Sequence, residues 1–202
     1  CVGSRDEKHP YCSSICCMYA TKEAVMAKQR LPGVHCQIFQ MDERAFSKEF
    51  YVYYERAKKQ YGVEYTRCRV QQVLEDPQTH ELILRYPDEA GQMIESRFDM
   101  VVLSLGAQPP SGSRDLADLL GIELNDYGFC ATDKFTPLAT SRPGIYVCGA
   151  FGSPKEIADT IVEAAGAAGS VMDLLSSEVG AQTVAREHPF LWVAEELPPE
   201  RD

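Results

Sequence analysis

Cys1, Cys12, Cys16 and Cys17 stand within the first 17 residues in the pattern C-x10-C-x3-C-C. Thiolates are soft ligands and nucleophiles. A group of them without a secretory segment points to metal or redox chemistry before a disulfide framework. A helix beginning near Ser13 puts Cys12 and Cys16 one turn apart, with Cys17 adjacent and Cys1 returning from the loop. Four thiolates converging there are the donor set of an iron–sulfur cluster, and the helix dipole favours the thiolate form. Zinc is the rival metal, although adjacent Cys-Cys is unusual in its C-x2-C knuckles. A redox disulfide is a third reading. Simple packing of the thiols as small hydrophobes is the fourth. Cys36, Cys68, Cys130 and Cys148 are dispersed in or beside expected strands and read as core thiols. His9, His35, His80 and His188 show no metal spacing and read as surface or loop residues.

Two further features could do chemistry. Lys22 sits on the buried apolar stripe of the same helix, among Ile15, Met18, Tyr19, Val25 and Met26. A buried lysine needs a partner, so Lys22 either snorkels or pairs with a carboxylate, or faces a cofactor as a cation. The second feature is RPGIYVCGAFGSPKEIADTI, residues 142–161. It predicts a strand running into Gly149, a short loop and a helix. Ser153 and Glu156 form a capping-box pattern, with Pro154 at the first helical position. A helix N-terminus reached directly from a strand suits an anion or a carbonyl oxygen. The small residues Ala158, Ala164, Ala165, Gly166, Ala167, Ala168 and Gly169 allow close approach to a sheet or a ligand, and close packing explains them equally well.

The elements that must position these groups follow from periodicity. Apolar spacing predicts helices over residues 13–30 and 45–61, each followed by a short strand, 34–39 and 63–65. Residues 69–74, 81–86 and 93–98 read as an antiparallel meander with turns at Asp76-Pro77 and Pro87–Gly91. DMVVLSL, residues 99–105, is apolar enough for a strand covered on both faces. A short helix at 115–120, a strand at 145–147 and a long helix at 154–176 complete the order, and the acidic, Pro-containing residues from 180 onward read as a peripheral arm. This alternation suggests a doubly wound α/β fold with an antiparallel crossover.

Composition sets the outer limits. The 202 residues are 45% hydrophobic and 25% charged, which describes a packed chain of one domain or slightly more. A net charge of −10 argues against nucleic acid as a general partner. No apolar run approaches the ~20 residues of a membrane span, and no secretory signal opens the chain. The start at Cys1 rather than Met reads as a fragment.

CVGSRD, YCSSICCMYATKEA and Gln40-Met41-Asp42-Glu43-Arg44-Ala45-Phe46 together resemble the heterodisulfide reductase flavoprotein family, that enzyme's A-type component. The family includes flavoprotein subunits of quinone-interacting membrane-bound oxidoreductase complexes. DMVVLSLGAQPP and GIYVCGAFGSPKEIADTIVEAAGAA are similar to its later segments. They are similar more widely to flavoproteins with two dinucleotide-binding domains, of thioredoxin reductase type. The resemblance covers residues 1–178.

The resemblance implies a Rossmann-like FAD/NAD(P)-binding α/β fold in three ββα layers. Residues 1–105 would be an NAD(P)-domain-like unit carrying the cluster loop, 106–178 the trailing half of a FAD domain, and 179–202 a peripheral tail. It implies FAD and a 4Fe–4S cluster, with Cys1, Cys12, Cys16 and Cys17 as ligands where a pyridine-nucleotide loop would otherwise stand. Lys22 would lie near flavin N5. Gly149 and Ala150 match the second FAD motif, and the helix from Pro154 would aim the amides of Lys155, Glu156 and Ile157 at the flavin. Ala150 departs from the usual Asp, which puts the ribityl hydrogen bond in doubt. No G-x-G-x-x-G for the ADP moiety occurs in these residues, so this chain alone is expected to bind FAD weakly or not at all.

The function implied is electron transfer between FAD and the cluster toward partner iron–sulfur subunits, in a cytoplasmic homo-oligomer without catalytic nucleophile, nucleic acid or membrane span. The alternatives are a pyridine-nucleotide-dependent flavin disulfide reductase and a zinc- or cluster-stabilised scaffold.

Overall fold

The computed structural model describes residues 1–178. Helix α1 (Cys16–Arg30) leads into strand β1 (Gln37–Gln40), helix α2 (Phe50–Lys59) and strand β2 (Glu64–Arg67). Strands β1 and β2 pair in parallel, with Gln37 opposite Glu64 and Gln40 opposite Arg67. A helix between two parallel strands is the crossover unit the sequence predicts. Strands β3 (Gln72–Glu75), β4 (Leu82–Pro87) and β5 (Met93–Phe98) form the expected antiparallel meander. Helix α3 (Ser113–Leu120), a 3-10 turn at Gly149–Phe151 and the long helix α4 (Ile157–Glu178) follow. Parallel and antiparallel pairing between helices confirms the α/β Rossmann-like class.

Apolar contact is concentrated in two places. In the first, Met18, Ala45 and Tyr54 pack with Phe50 and Tyr65, while Val25, Ala57 and Val63 pack with Ile38 and Tyr61. Ala57 is fully buried because α1 and α2 approach closely over the β1–β2 pair. In the second, Ala117, Ile122, Cys130 and Val147 pack with Leu120, Leu124, Ile145 and Phe151. The meander is pinned to the first core by Phe39, whose ring lies 4.9 Å from Tyr86 and 5.7 Å from Phe98.

Several boundaries differ from the sequence expectation. Helix α1 starts at Cys16 rather than near Ser13, because Ser14 adopts φ +62°, a left-handed backbone that ends any helix before it. Helix α2 starts at Phe50 rather than Ala45 for the same reason, with Glu49 at φ +65°. Helix α4 starts at Ile157, so Pro154 and the Ser153–Glu156 capping pattern precede it rather than open it. Residues 99–105 form no regular strand. Only an isolated parallel bridge joins Leu105 to Val2, and Met100, Val102, Leu103 and Leu105 are exposed. A strand buried on both faces needs neighbours on both edges, and among the described residues only Val2 lies alongside. Residues 145–147 similarly form one bridge, Tyr146 to Ala139. The expected tail from residue 180, and His188, lie outside the described residues.

Candidate functional site

The cysteine loop is held by a pair of buried serines. Ser4 and Ser13 are 1% and 0% exposed. The Ser4 hydroxyl donates to the Tyr11 carbonyl at 2.9 Å and accepts from the Ser13 amide at 3.1 Å. The Ser13 hydroxyl donates to Ser4 Oγ at 3.1 Å and accepts from the Ala107 amide at 2.8 Å. The Val2 amide donates to Ser104, and the Gly106 amide to Val2 at 2.7 Å. Tyr11 and Tyr19 donate to the carbonyls of Ala107 and Leu105. The loop thereby adds itself to the end of the 99–107 segment. Gly106 is required at that junction. A Cβ there would lie 2.6 Å from Ser4 Cβ, 2.7 Å from the Gly3 carbonyl and 2.8 Å from Ser13 Oγ.

This anchoring sets the cysteines. Cys16 and Cys17 occupy the first turn of α1, while Cys12 lies before the left-handed Ser14 and outside the helix. Cys16 is buried, and the other three are half-buried. The neighbouring Cys17 thiol draws the Cys16 thiol below its ordinary range against the effect of burial, helped by the N-terminal ammonium of Cys1. Cys17 moves the opposite way, first from its neighbour Cys16, then from burial, with the charge of Cys12 adding to it. The Cys17 thiol itself donates to the Asp42 carbonyl at 3.9 Å. Cys12, Cys16 and Cys17 are therefore in one electrostatic neighbourhood, with the Cys1 ammonium at its edge. Among the described residues, however, no three His, Cys, Asp or Glu side chains are gathered as a metal ion would hold them. All eight cysteines are free thiols. As a donor set, neighbouring thiols at a helix N-terminus suit an iron–sulfur cluster. Two of the histidines pair elsewhere: His35 with Glu64 at 2.9 Å and His80 with Glu75 at 2.6 Å.

Beside the cysteines lies a cationic clamp that sequence reasoning missed. Asp42 accepts from Arg5 and from Arg44, at 3.3 Å for Arg44 Nε. Burial raises the Asp42 carboxyl, but Arg44 and Arg5 outweigh it and hold the group below the usual range. Their signal in the sequence is weak, since charged residues in a polar loop are the rule rather than the exception.

A cleft joins the two motifs that sequence analysis singled out. It is lined by Ser14, Arg44, Phe46, Ser47, Phe50, Pro154, Lys155, Glu156 and Asp159. Ser14 belongs to the cysteine loop, and Pro154–Glu156 to the approach to α4. The enclosed space is about 80 Å³, well below the ~300 Å³ that a drug-sized ligand occupies. These residues can therefore wrap only one edge of a larger molecule. Glu156 is pushed above the ordinary carboxylate range by burial and by Asp159, and pulled back by Lys22. Lys22 is thus a neighbour of Glu156. It is exposed, not on the buried stripe. The stripe is Met18, Thr21 and Val25, and Lys22 sits about 100° round the helix from Thr21.

Gly149 is buried at φ +73°, and a Cβ there would meet Thr160 Cγ2 at 3.0 Å. Ala150 and Ile157 are exposed, so neither side chain lines the cleft. Lys155 is turned onto Glu163 rather than into open solvent, with its ammonium 2.7 Å from both carboxylate oxygens. Aromatic rings (Phe46 and Phe50) and the first-turn amides of a 22-residue helix are groups that suit a flat aromatic ligand, with the cation Arg44 and the carboxylates Glu156 and Asp159 in the same lining.

Comparison with known proteins shows the family. The family model described as pyridine nucleotide-disulphide oxidoreductase matches residues 19–169, which begin just after the cysteine segment. The chain is 38% identical over 193 residues to the second iron-sulfur A-type component of the CoB–CoM heterodisulfide reductase of Methanopyrus kandleri, covering 93% of this chain and 29% of that protein. It is 43% identical over 176 residues to the corresponding iron-sulfur component of the CoB–CoM heterodisulfide reductase of Methanocaldococcus jannaschii, covering 85% and 27%. It is 41% identical over 170 residues to the A-type component of the ferredoxin:CoB-CoM heterodisulfide reductase of Methanosarcina acetivorans, covering 81% and 21%. The chain therefore spans less than a third of the length of these relatives. No helix among the described residues is long and apolar enough to cross a membrane.

Proposed function

The chain belongs to the pyridine nucleotide-disulphide oxidoreductase family, and from that premise we propose that it is the electron-transfer portion of a flavoprotein like the A-type component of heterodisulfide reductase. The observation that carries this reading is the shared cleft. Ser14, between Cys12 and Cys16, lines the same space as Pro154, Lys155 and Glu156. A sulfur-ligated centre and a flavin would then be near neighbours.

In this reading Cys1, Cys12, Cys16 and Cys17 hold a 4Fe–4S cluster, and Lys22, Gly149, Ala150, Pro154, Lys155, Glu156 and Ile157 surround the flavin part of FAD. When bound, a flavin supplies two-electron chemistry and a cluster one-electron chemistry, so together they convert one into the other. The chain's own residues do the rest. The buried Ser4–Ser13 pair keeps the cysteine loop in place against residues 104–107. The amides at the start of α4 and the exposed Lys22 favour negative charge at a bound ring, by fixed electrostatics rather than reorganisation. Phe46 and Phe50 narrow the cleft on its other side. No side chain is assigned as a nucleophile, and reduction of a disulfide or related sulfur substrate falls to a partner iron–sulfur protein. The proposal includes a homo-oligomer in the cytoplasm, where thiols stay reduced. It also divides the chain into a unit at 1–105, a FAD-domain half at 106–178 and a tail at 179–202. The separate apolar clusters on either side of residue 105 support that division.

The test is metal analysis of the full-length protein purified without oxygen. Cys16→Ser should remove about four iron and four acid-labile sulfide per chain relative to the unaltered protein. Unchanged iron and sulfide contents would overturn the assignment. One zinc per chain in place of that iron would support a scaffold.

A further inference from the structure

We propose that Glu163 is a positioning residue that holds the Gly149–Lys155 loop and cancels the charge of Lys155 beside the cleft, an inference that rests on the flavin reading above. Glu163 lies in the second turn of α4. One carboxylate oxygen accepts from the Gly149 amide at 2.8 Å, and both accept from the Lys155 ammonium at 2.7 Å. The Lys155 and Glu163 side chains are 11% and 26% exposed, so the pair is largely withdrawn from water. The loop closes on itself through the Gly152 amide, which donates to the Gly149 carbonyl at 3.0 Å. A Cβ at Gly152 would lie 3.4 Å from Lys155 Nζ. One side chain thus ties together the corner at Gly149, the loop and the helix.

The charge consequence follows from position. Lys155 lines the cleft, and a cation held that far from water keeps its full effect unless compensated. Glu163 compensates it. Arg44, the cleft's other cation, is paired with Asp42. That carboxylate is shared with Arg5, so the trio keeps one net positive charge, and Lys22 is a further cation near Glu156. A glutamine at 163 would keep an acceptor for the Gly149 amide but lose the negative charge. Charge and hydrogen-bonding roles can thereby be separated.

The experiment is a spectroelectrochemical titration of the flavin in the full-length protein, together with hydrogen exchange of the peptide containing Gly149. A cation near the ring stabilises the reduced, anionic form. Glu163→Gln should raise the flavin midpoint potential and Lys155→Met should lower it. The double variant should return toward the unaltered value, since neither partner remains to be uncompensated. Glu163→Ala should in addition speed exchange of the Gly149 amide by about ten-fold, the loss of one charge-assisted hydrogen bond, while Glu163→Gln should change it little. If the single variants keep their flavin and its potential is unmoved, or moves in the same direction in both, the proposal is overturned while the flavin reading stands. Full-length protein that holds no flavin overturns both.

Discussion

Ser4 and Ser13 show how much a small polar side chain can control. Both hydroxyls are buried; Ser4 closes the loop on Tyr11 and Ser13, and Ser13 ties it to Ala107, so neither can be removed without stranding a polar group. Ser13→Ala leaves the Ala107 amide without its partner, while the Ser4 hydroxyl keeps the Tyr11 carbonyl and the residue-13 amide. The expected cost is about 1–3 kcal/mol, read by chemical denaturation. Gly106→Ala should cost a similar ~1–3 kcal/mol through overpacking against Ser4 and the Gly3 carbonyl. Because the loop carrying the cysteines docks there, the same change should speed proteolysis between Arg5 and Tyr11. A loop as resistant as before would show that the junction does not hold it. Tyr65 gives a pH signature. Burial pushes its phenol up to about 12, against the opposing hydrogen bond with Thr21. The folded state prefers the neutral phenol, so this stability is fully present below the unfolded value of about 10 and is lost as pH rises through 12. Phenolate absorbance and far-UV dichroism should therefore change together above pH 10, and Tyr65→Phe should weaken that coincidence, since Tyr11, Tyr19 and Tyr54 are raised by burial as well.

At the scale of elements, α1 and α2 are held by size rather than by polar contact. Ala57 is fully buried between Val25 and Val63. Ala57→Leu should destabilise by about 1–3 kcal/mol, seen as a lowered thermal midpoint, because the helices have no room to separate without opening β1–β2. Helix α4 is the opposite case. It packs along one side, where Gly166 meets Leu138 so closely that a Cβ would lie 2.7 Å away. Its other side leaves Ile157, Ile161 and Met172 exposed. Of the small residues that the sequence offered as a close-approach face, Gly166 alone is shown in such a contact, and most of the alanines are exposed. The hairpin of β4 and β5 was legible to within a residue, since alternation within a hairpin is local, while β3 begins at Gln72 rather than Arg69. The strand at 99–105 was not formed as expected, since a doubly covered strand depends on neighbours distant in the chain.

For the whole molecule, the described residues leave large apolar side chains uncovered on α4 and over residues 100–105. Expressed as these 202 residues alone, the chain should self-associate, giving a mass above 22.5 kDa by light scattering. It should also fail to hold stoichiometric FAD, because the cleft of about 80 Å³ encloses only part of such a ligand. Tight one-to-one binding by the chain alone, measured by its visible spectrum, would overturn that expectation.

Residue types and local spacing were enough to mark the cysteines, the Gly149 corner, the meander and the order of helices and strands. Each depends on neighbours within a few positions of the chain. The tertiary structure decided what lies across from them. It showed that Ser14 breaks the helix before Cys16, that Lys22 faces outward beside Glu156, and that Glu163 occupies both Lys155 and the Gly149 amide. It also brought the cysteine loop and the start of α4 to one cleft, although about 140 residues separate them in the chain. Helical and strand periods carry no information about contacts at that separation, because those are set by how the packed elements close on one another.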